Sequence, residues 1–138
     1  MIELKNEQLA IRVAEMGAEL QSVKDSEGRE YMWQAGEEWS RHSPILFPIV
    51  CSVNNNTYVV DGKEYHLPRH GFARDTEFTV VSQTKDKVTL ALHESEETLK
   101  VYPYHFNLAI SYRLEGNKVH VIWHVEIGRS TRLNSSHP

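Results

Sequence analysis

The sequence predicts an all-β fold, an antiparallel sandwich or barrel, from three observations. Apolar and polar residues alternate with period two over several long stretches, the mark of half-buried strands. Turn residues interrupt this alternation about every ten residues, the spacing of small β-sandwiches and barrels. No stretch keeps a helical period for more than about two turns.

Residues 9–25, LAIRVAEMGAELQSVKD, read as strand, break at Gly17, strand. The DSEG step from Asp25 to Gly28 then turns the chain toward REYMW. In WSRHSPILFPIV (residues 39–50), Pro44 and Pro48 bracket Ile45, Leu46 and Phe47. Proline cannot donate to a ladder, so this segment reads as an edge or a buried irregular crossing. TYVVDGKEYHL carries Asp61-Gly62 between two alternating runs, a strong signal for a tight hairpin. FTVVSQTKDKVTLALHES reads as two strands around Lys85-Asp86-Lys87.

EEWSRH and SEETLKVY could each hold a short helical turn. Ser95-Glu96-Glu97-Thr98 resembles a helix start, and an acidic solvated loop is the alternative. YHFNLAISYRL sets Tyr104, Phe106, Leu108, Ile110, Tyr112 and Leu114 on one strand face. After a short loop at Glu115–Asn117, KVHVIWHVEI repeats the pattern with Val119, Val121, Trp123, Val125 and Ile127. Residues 1–127 are expected to form one body. Residues 128–138, GRSTRLNSSHP, contain one apolar residue, Leu133. This tail is expected to be disordered, and it resembles translated adapter sequence rather than native protein. A sheet that stops mid-ladder leaves an open edge. The body is therefore expected to expose part of its core and to self-associate.

The chain has 138 residues, 40% apolar and 25% charged, and a net charge of −4. Its charges are interspersed, so it lacks the clustered basic face that nucleic acid requires. No apolar run approaches the length of a membrane span. A single cysteine, Cys51, and an N-terminus without an apolar core segment suggest a reducing, cytoplasmic compartment.

Several groups could carry chemistry. His66 and His70 are four apart, but Pro68 between them forbids a shared helical face, and no further ligand completes a metal set. His120, His124 and Glu126 share a strand face that could hold an ion, or could simply be solvated. Cys51 lies in an apolar run and reads as a buried small residue rather than a nucleophile. In RHGFAR, Arg69, His70 and Arg74 converge on one loop, with Pro68 stiffening its entry. Gly71 permits a close approach or a positive φ. Guanidinium forks bind hydroxyls, carboxylates or phosphates, and histidine can donate to or accept from a sugar hydroxyl. The alternative is that both arginines pair with Asp75 and Glu77. Arg41 and His42 sit at the mouth of the double-proline stretch. Trp33 and Trp39, near it in sequence, could stack on a sugar or pack in the core.

MGAELQSVKDSEGREYMWQ, SPILFPIV, YVVDGKEYHLPRHGFARDTEF and YPYHFNLAISYRL, in this order, resemble the aldose 1-epimerase (galactose mutarotase-like) family. The HGFAR sequence resembles its bacterial branch and also the hexose-6-phosphate epimerases. The resemblance covers roughly residues 1–127. It implies the N-terminal part of an antiparallel β-supersandwich about twice as long as this chain. It implies interconversion of the α and β anomers of an aldose by acid–base ring opening, without metal or organic cofactor. The implied partner is a small sugar, an aldohexose or its phosphate.

Carried over by this resemblance, His70 matches the sugar-binding histidine and Arg74 the arginine of this branch. Arg41 is a third, weaker match. Ser52 stands where many relatives place a sugar-binding arginine. The resemblance sets the acid histidine and base glutamate beyond the end of this chain. His105, His120 and His124 are conceivable substitutes with no motif behind them. The chain is thus expected to hold half of a sugar cleft without its acid–base pair. A non-catalytic sugar-binding domain and a hexose-6-phosphate 1-epimerase are the alternatives.

Overall fold

The structure, a computed structural model, describes residues 1–32, 43–49 and 56–129. Nine strands carry the described fold. A three-stranded sheet runs in the order β1 (Ile2–Lys5), β2 (Leu9–Ala14), β3 (Glu19–Asp25). β4 (Thr57–Val60) and β5 (Lys63–His66) form a separate hairpin. A four-stranded sheet runs β6 (Thr79–Gln83), β7 (Lys87–His93), β8 (Tyr104–Glu115), β9 (Lys118–Arg129). Every paired strand is antiparallel, so the fold class is the all-β one expected. β1 is an addition to the strands expected, four residues that pair Ile2 with Val13 and Leu4 with Ile11.

The alternation maps onto burial strand by strand. In β8, Phe106, Leu108, Ile110, Tyr112 and Leu114 are all buried. They share one core with Ile2, Leu4, Leu9, Ile11 and Val13 of the three-stranded sheet and with Val88, Leu90 and Leu92 of β7. Tyr112 donates its hydroxyl to the Ala18 carbonyl at 2.7 Å. That bond satisfies a buried polar group across the core. The Asp61-Gly62 hairpin has φ of 51° and 80° at its two central residues, the paired positive values of a type I′ turn. The Asp25 turn closes as expected, with Gly28 N–H donating to the Asp25 carbonyl at 3.0 Å. Tyr31 Oη also donates to Asp25 Oδ2 at 2.8 Å.

The start signal at Ser95 produces a helix, α1 (Glu96–Val101), rather than an acidic loop. Ser95 Oγ accepts from Thr98 N–H, and Thr98 Oγ1 accepts from Ser95 N–H, a reciprocal capping box. Tyr58 Oη donates to the Val101 carbonyl at the end of α1, tying the β4–β5 hairpin to the helix. Burial pushes the Tyr58 phenol up to about 12.

β9 departs from its expectation. Its alternation is as regular as that of β8, yet Val121, Trp123, Val125 and Ile127 are 40–46% exposed. Among the described residues β9 is the last strand of its sheet, and of its inner face Val119 packs against the core. EEWSRH and the tail beyond residue 129 lie outside the described residues. No helix of the described residues is long and apolar enough to cross a membrane.

Candidate functional site

The loop from Leu67 to Phe78 is built on a tight turn. Gly71 N–H donates to the Pro68 carbonyl at 2.9 Å. This places His70 third in a four-residue turn with φ of 64°, a left-handed value that histidine tolerates better than most residues. Gly71 follows at φ 76°.

The double-proline segment is the second support. Of its described residues, Ile45 and Phe47 are buried, and the Phe47–Pro48 peptide is cis. It is the buried irregular crossing anticipated as one of two outcomes. The Phe47 carbonyl accepts from both Phe72 N–H (2.9 Å) and Ala73 N–H (3.1 Å). A Cβ on Gly71 would lie 2.1 Å from that carbonyl oxygen. Only glycine lets the two backbones approach this closely.

The Gly17 break is a third. Gly17 N–H donates to the Thr76 carbonyl at 2.7 Å, and Phe78 N–H donates to the Glu15 carbonyl at 2.8 Å. A Cβ on Gly17 would lie 2.7 Å from the Arg74 carbonyl oxygen. The break between β2 and β3 therefore serves as the seat for the far end of the loop. The short 3-10 turn Ala73–Asp75 sits between these two contacts.

On this frame Arg69, His70 and Arg74 come together. Arg69 Nε donates to His70 Nε2 at 3.3 Å. Arg74 Nη2 donates to the Arg69 carbonyl at 3.1 Å. Arg74 Nε is buried and has no hydrogen-bond partner among the described residues. A guanidinium N–H left so is costly unless something accepts from it. With Nε2 accepting, His70 is neutral and carries its proton on Nδ1.

Burial and the repulsion of Arg69 and Arg74 hold the His70 pKa below its ordinary value of 6.5. The unfolded chain takes up this proton near 6.5, whereas the folded chain does so only at lower pH. This contribution to stability is therefore fully present above 6.5. It is lost as pH falls toward the folded value, because the unfolded state then binds more protons. The ring-proton NMR titration of His70 should have a midpoint below 6.5, and Arg69→Gln should raise it. A midpoint unmoved by that substitution would remove Arg69 as a cause.

The floor beneath the loop is aromatic. The Phe106 ring lies 5.2 Å from Phe47 and 5.9 Å from Phe72, centroid to centroid, and Tyr102 packs against all three. Sequence reasoning placed Phe106 on a core face but did not connect it to the loop. The signal available was its nearness to Tyr102 and Tyr104 in sequence. The link to Phe47, 59 positions away in the chain, was not available.

Other candidates fall apart from this group. His66 Nδ1 meets Thr57 Oγ1 at 3.1 Å across the β4–β5 hairpin. His120 Nε2 pairs with Glu115 Oε1 at 2.9 Å, and His124 Nε2 with Glu126 Oε1 at 2.7 Å, so the two histidines engage different carboxylates. His105 Nδ1 is 3.1 Å from Glu94 Oε2, and Phe106 N–H donates to Glu94 Oε1 at 3.0 Å. Burial alone would push the Glu94 pKa up, but these hydrogen bonds hold it below the usual range. Arg41, with His42, Trp33, Trp39, Cys51 and Ser52, lies outside the described residues.

A family model described as aldose 1-epimerase matches residues 1–137. The chain belongs to the aldose 1-epimerase family. Within that family it is similar to the plasmid-borne protein LacX of Lactococcus lactis subsp. lactis. The two are 39% identical over 124 residues, which cover 86% of this chain and 42% of LacX. A protein of Escherichia coli K12, provisionally named a glucose-6-phosphate 1-epimerase, is 26% identical over 125 residues, covering 83% of this chain and 40% of that protein.

Two solved structures of the aldose 1-epimerase type have the same fold. A galactose mutarotase related enzyme from Lactobacillus acidophilus superposes with a TM-score of 0.90 at 41% identity, covering 93% of this chain and 43% of that one. A galactose mutarotase-like protein from Lactobacillus casei ATCC 334 gives 0.87 at 38% identity, covering 91% and 44%. The chain spans about two fifths of the length of the curated relatives it matches.

Proposed function

We propose that this chain supplies the sugar-gripping part of an aldose 1-epimerase cleft, with His70 and Arg74 contacting the hydroxyls of an aldose. Arg41 is assigned to the same site by resemblance alone. The observation that carries the reading is the buried Arg74 Nε, without an acceptor among the described residues, beside a neutral His70. A guanidinium N–H and an imidazole N–H can each donate to a sugar oxygen. In the whole protein the reaction is interconversion of α and β anomers. A base takes the C1 hydroxyl proton and an acid protonates the ring oxygen, so the ring opens and recloses on the other face. Both of those groups are assigned to residues beyond this chain, which by itself binds without catalysing.

A phosphorylated aldose is the second reading. It is favoured by the two guanidiniums flanking His70, since paired arginines suit phosphate oxygens. The resemblance to the glucose-6-phosphate 1-epimerase-named protein points the same way.

Polarimetry and calorimetric titration test both readings together. Freshly dissolved α-glucose and α-galactose should mutarotate at the buffer rate with this chain and faster when a full-length galactose mutarotase is added as the control. Titration of this chain with glucose, galactose and glucose 6-phosphate should show binding that His70→Ala and Arg74→Ala each weaken about 10- to 100-fold, the scale of a lost hydrogen bond to a charged or buried partner. Catalysis by the 138-residue chain would overturn the assignment of the acid and base. Binding unaffected by either substitution would remove the loop from the site.

A further inference from the structure

We propose that Arg69 is a positioning residue for His70: it fixes the imidazole as its Nδ1–H tautomer, so that the loop meets an oxygen of its ligand with a hydrogen-bond donor. That the ligand is an aldose rests on the function proposed above.

Pro68, Arg69, His70 and Gly71 form a β-turn closed by the bond from Gly71 N–H to the Pro68 carbonyl. Of its two central residues, His70 alone has a positive φ, 64°. That combination makes a type II turn, whose third position usually goes to glycine or asparagine. Its central peptide is flipped relative to a type I turn. Arg74 Nη2, donating to the Arg69 carbonyl at 3.1 Å, holds that flip. A histidine in a left-handed position costs backbone energy that its surroundings must offset, a pattern that collects at ligand sites. Here the cost places the His70 ring beside the Arg69 side chain.

Arg69 Nε lies 3.3 Å from His70 Nε2. A guanidinium offers only donors and keeps its protons at any working pH. The ring nitrogen that faces it must therefore present a lone pair. An Nε2–H tautomer would set two N–H groups against each other, and an imidazolium would add a second positive charge. Which ring nitrogen carries the proton is set by what the other one meets. The proton is thus confined to Nδ1, and toward any other partner His70 acts there as a donor. Burial and the charges of Arg69 and Arg74 lower the pKa of the ring, which keeps it in this neutral form.

The consequence is directional. A histidine without such a neighbour exchanges tautomers, and can donate or accept at either nitrogen. Arg69 removes that choice, so the site selects a ligand oxygen with a lone pair to offer. Without Arg69 the ring returns to a mixture of tautomers. Only the Nδ1–H fraction then binds, and the apparent affinity falls by that fraction.

Long-range proton–nitrogen correlation spectra of the 138-residue chain test this, in mildly alkaline buffer where imidazoles are neutral. The chain has eight histidines, and the His70 signals are those missing from His70→Ala. A pyrrole-like Nδ1 and a pyridine-like Nε2 are expected. Arg69→Met should draw the two nitrogen shifts toward each other as the tautomers exchange. Calorimetric titration with glucose and with galactose tests the ligand side. Arg69→Met should weaken binding about two- to fivefold. In the His70→Ala chain it should weaken binding no further, because Arg69 acts through the ring.

A pyridine-like Nδ1, or averaged shifts, in the wild-type chain overturns the proposal. So does an Arg69→Met spectrum identical to wild type. A loss of affinity that persists undiminished in the His70→Ala background also overturns it, since Arg69 would then touch the sugar itself. A wild-type chain with the expected tautomer that binds neither sugar overturns the aldose reading and leaves the control of the ring by Arg69 standing. Circular dichroism of each variant distinguishes a changed ring from a lost fold.

Discussion

Gly71→Ala is expected to destabilise the protein by about 2–5 kcal/mol, combining a left-handed backbone penalty with overpacking. The new methyl would sit 2.1 Å from the Phe47 oxygen and 2.4 Å from its carbon. Neither atom can move without breaking the hydrogen bonds from Phe72 and Ala73. A loss of that size is a large share of the ~5–15 kcal/mol typical of a domain. Two comparison variants separate the causes. Gly62→Ala shares a positive φ of 80° but meets nothing within 4 Å, so only the conformational penalty of about 1–2 kcal/mol applies. Gly17→Ala, 2.7 Å from the Arg74 oxygen, should fall between them. Urea unfolding gives the order directly from the midpoints at constant slope. Equal losses at Gly71 and Gly62 would mean that the Phe47 approach is not what demands glycine.

The second large effect is expected at Phe106. Phe106→Ala should cost about 3–5 kcal/mol, the usual range for truncating a buried aromatic. Phe106 is 3% exposed and touches Phe47, Phe72 and Tyr102. The cavity would open under the turn that holds His70 and Arg74. Amide exchange should therefore quicken for residues 69–76 beyond what global destabilisation explains. Val59→Ala, at 65% exposure, should change stability by no more than about 0.5 kcal/mol. A Phe106 variant with normal protection in the loop would show that the floor and the turn are held independently.

Much of the strand pattern was legible because its causes are local. Alternation in β8 located all five of its buried apolar residues. Asp61-Gly62 announced its turn because few dipeptides accept two successive positive φ values. The Ser95 start signal was present too, but its acidic run suited a solvated loop equally well. The capping box and the tie from Tyr58 to Val101 favour the helix. β1 escaped notice because four residues are too few to establish a period.

The candidate site was legible as a motif and not as a geometry. His70, Arg69 and Arg74 stood out by residue type and by their place around Gly71. What turns them together is the Phe47 carbonyl and the Gly17 break, 24 and 54 positions from Gly71 in the chain. No local rule connects residues so far apart.

Sequence by itself determined which faces of the strands are apolar and where the chain turns. These follow from backbone dihedral preferences and a side-chain period of two, both set by neighbours in the chain. Only the tertiary structure decided which apolar faces are covered. β8 and β9 carry the same alternation, yet one is buried and the other is half in water. The pattern states which way a side chain points, whereas burial depends on whether another part of a protein lies there to meet it.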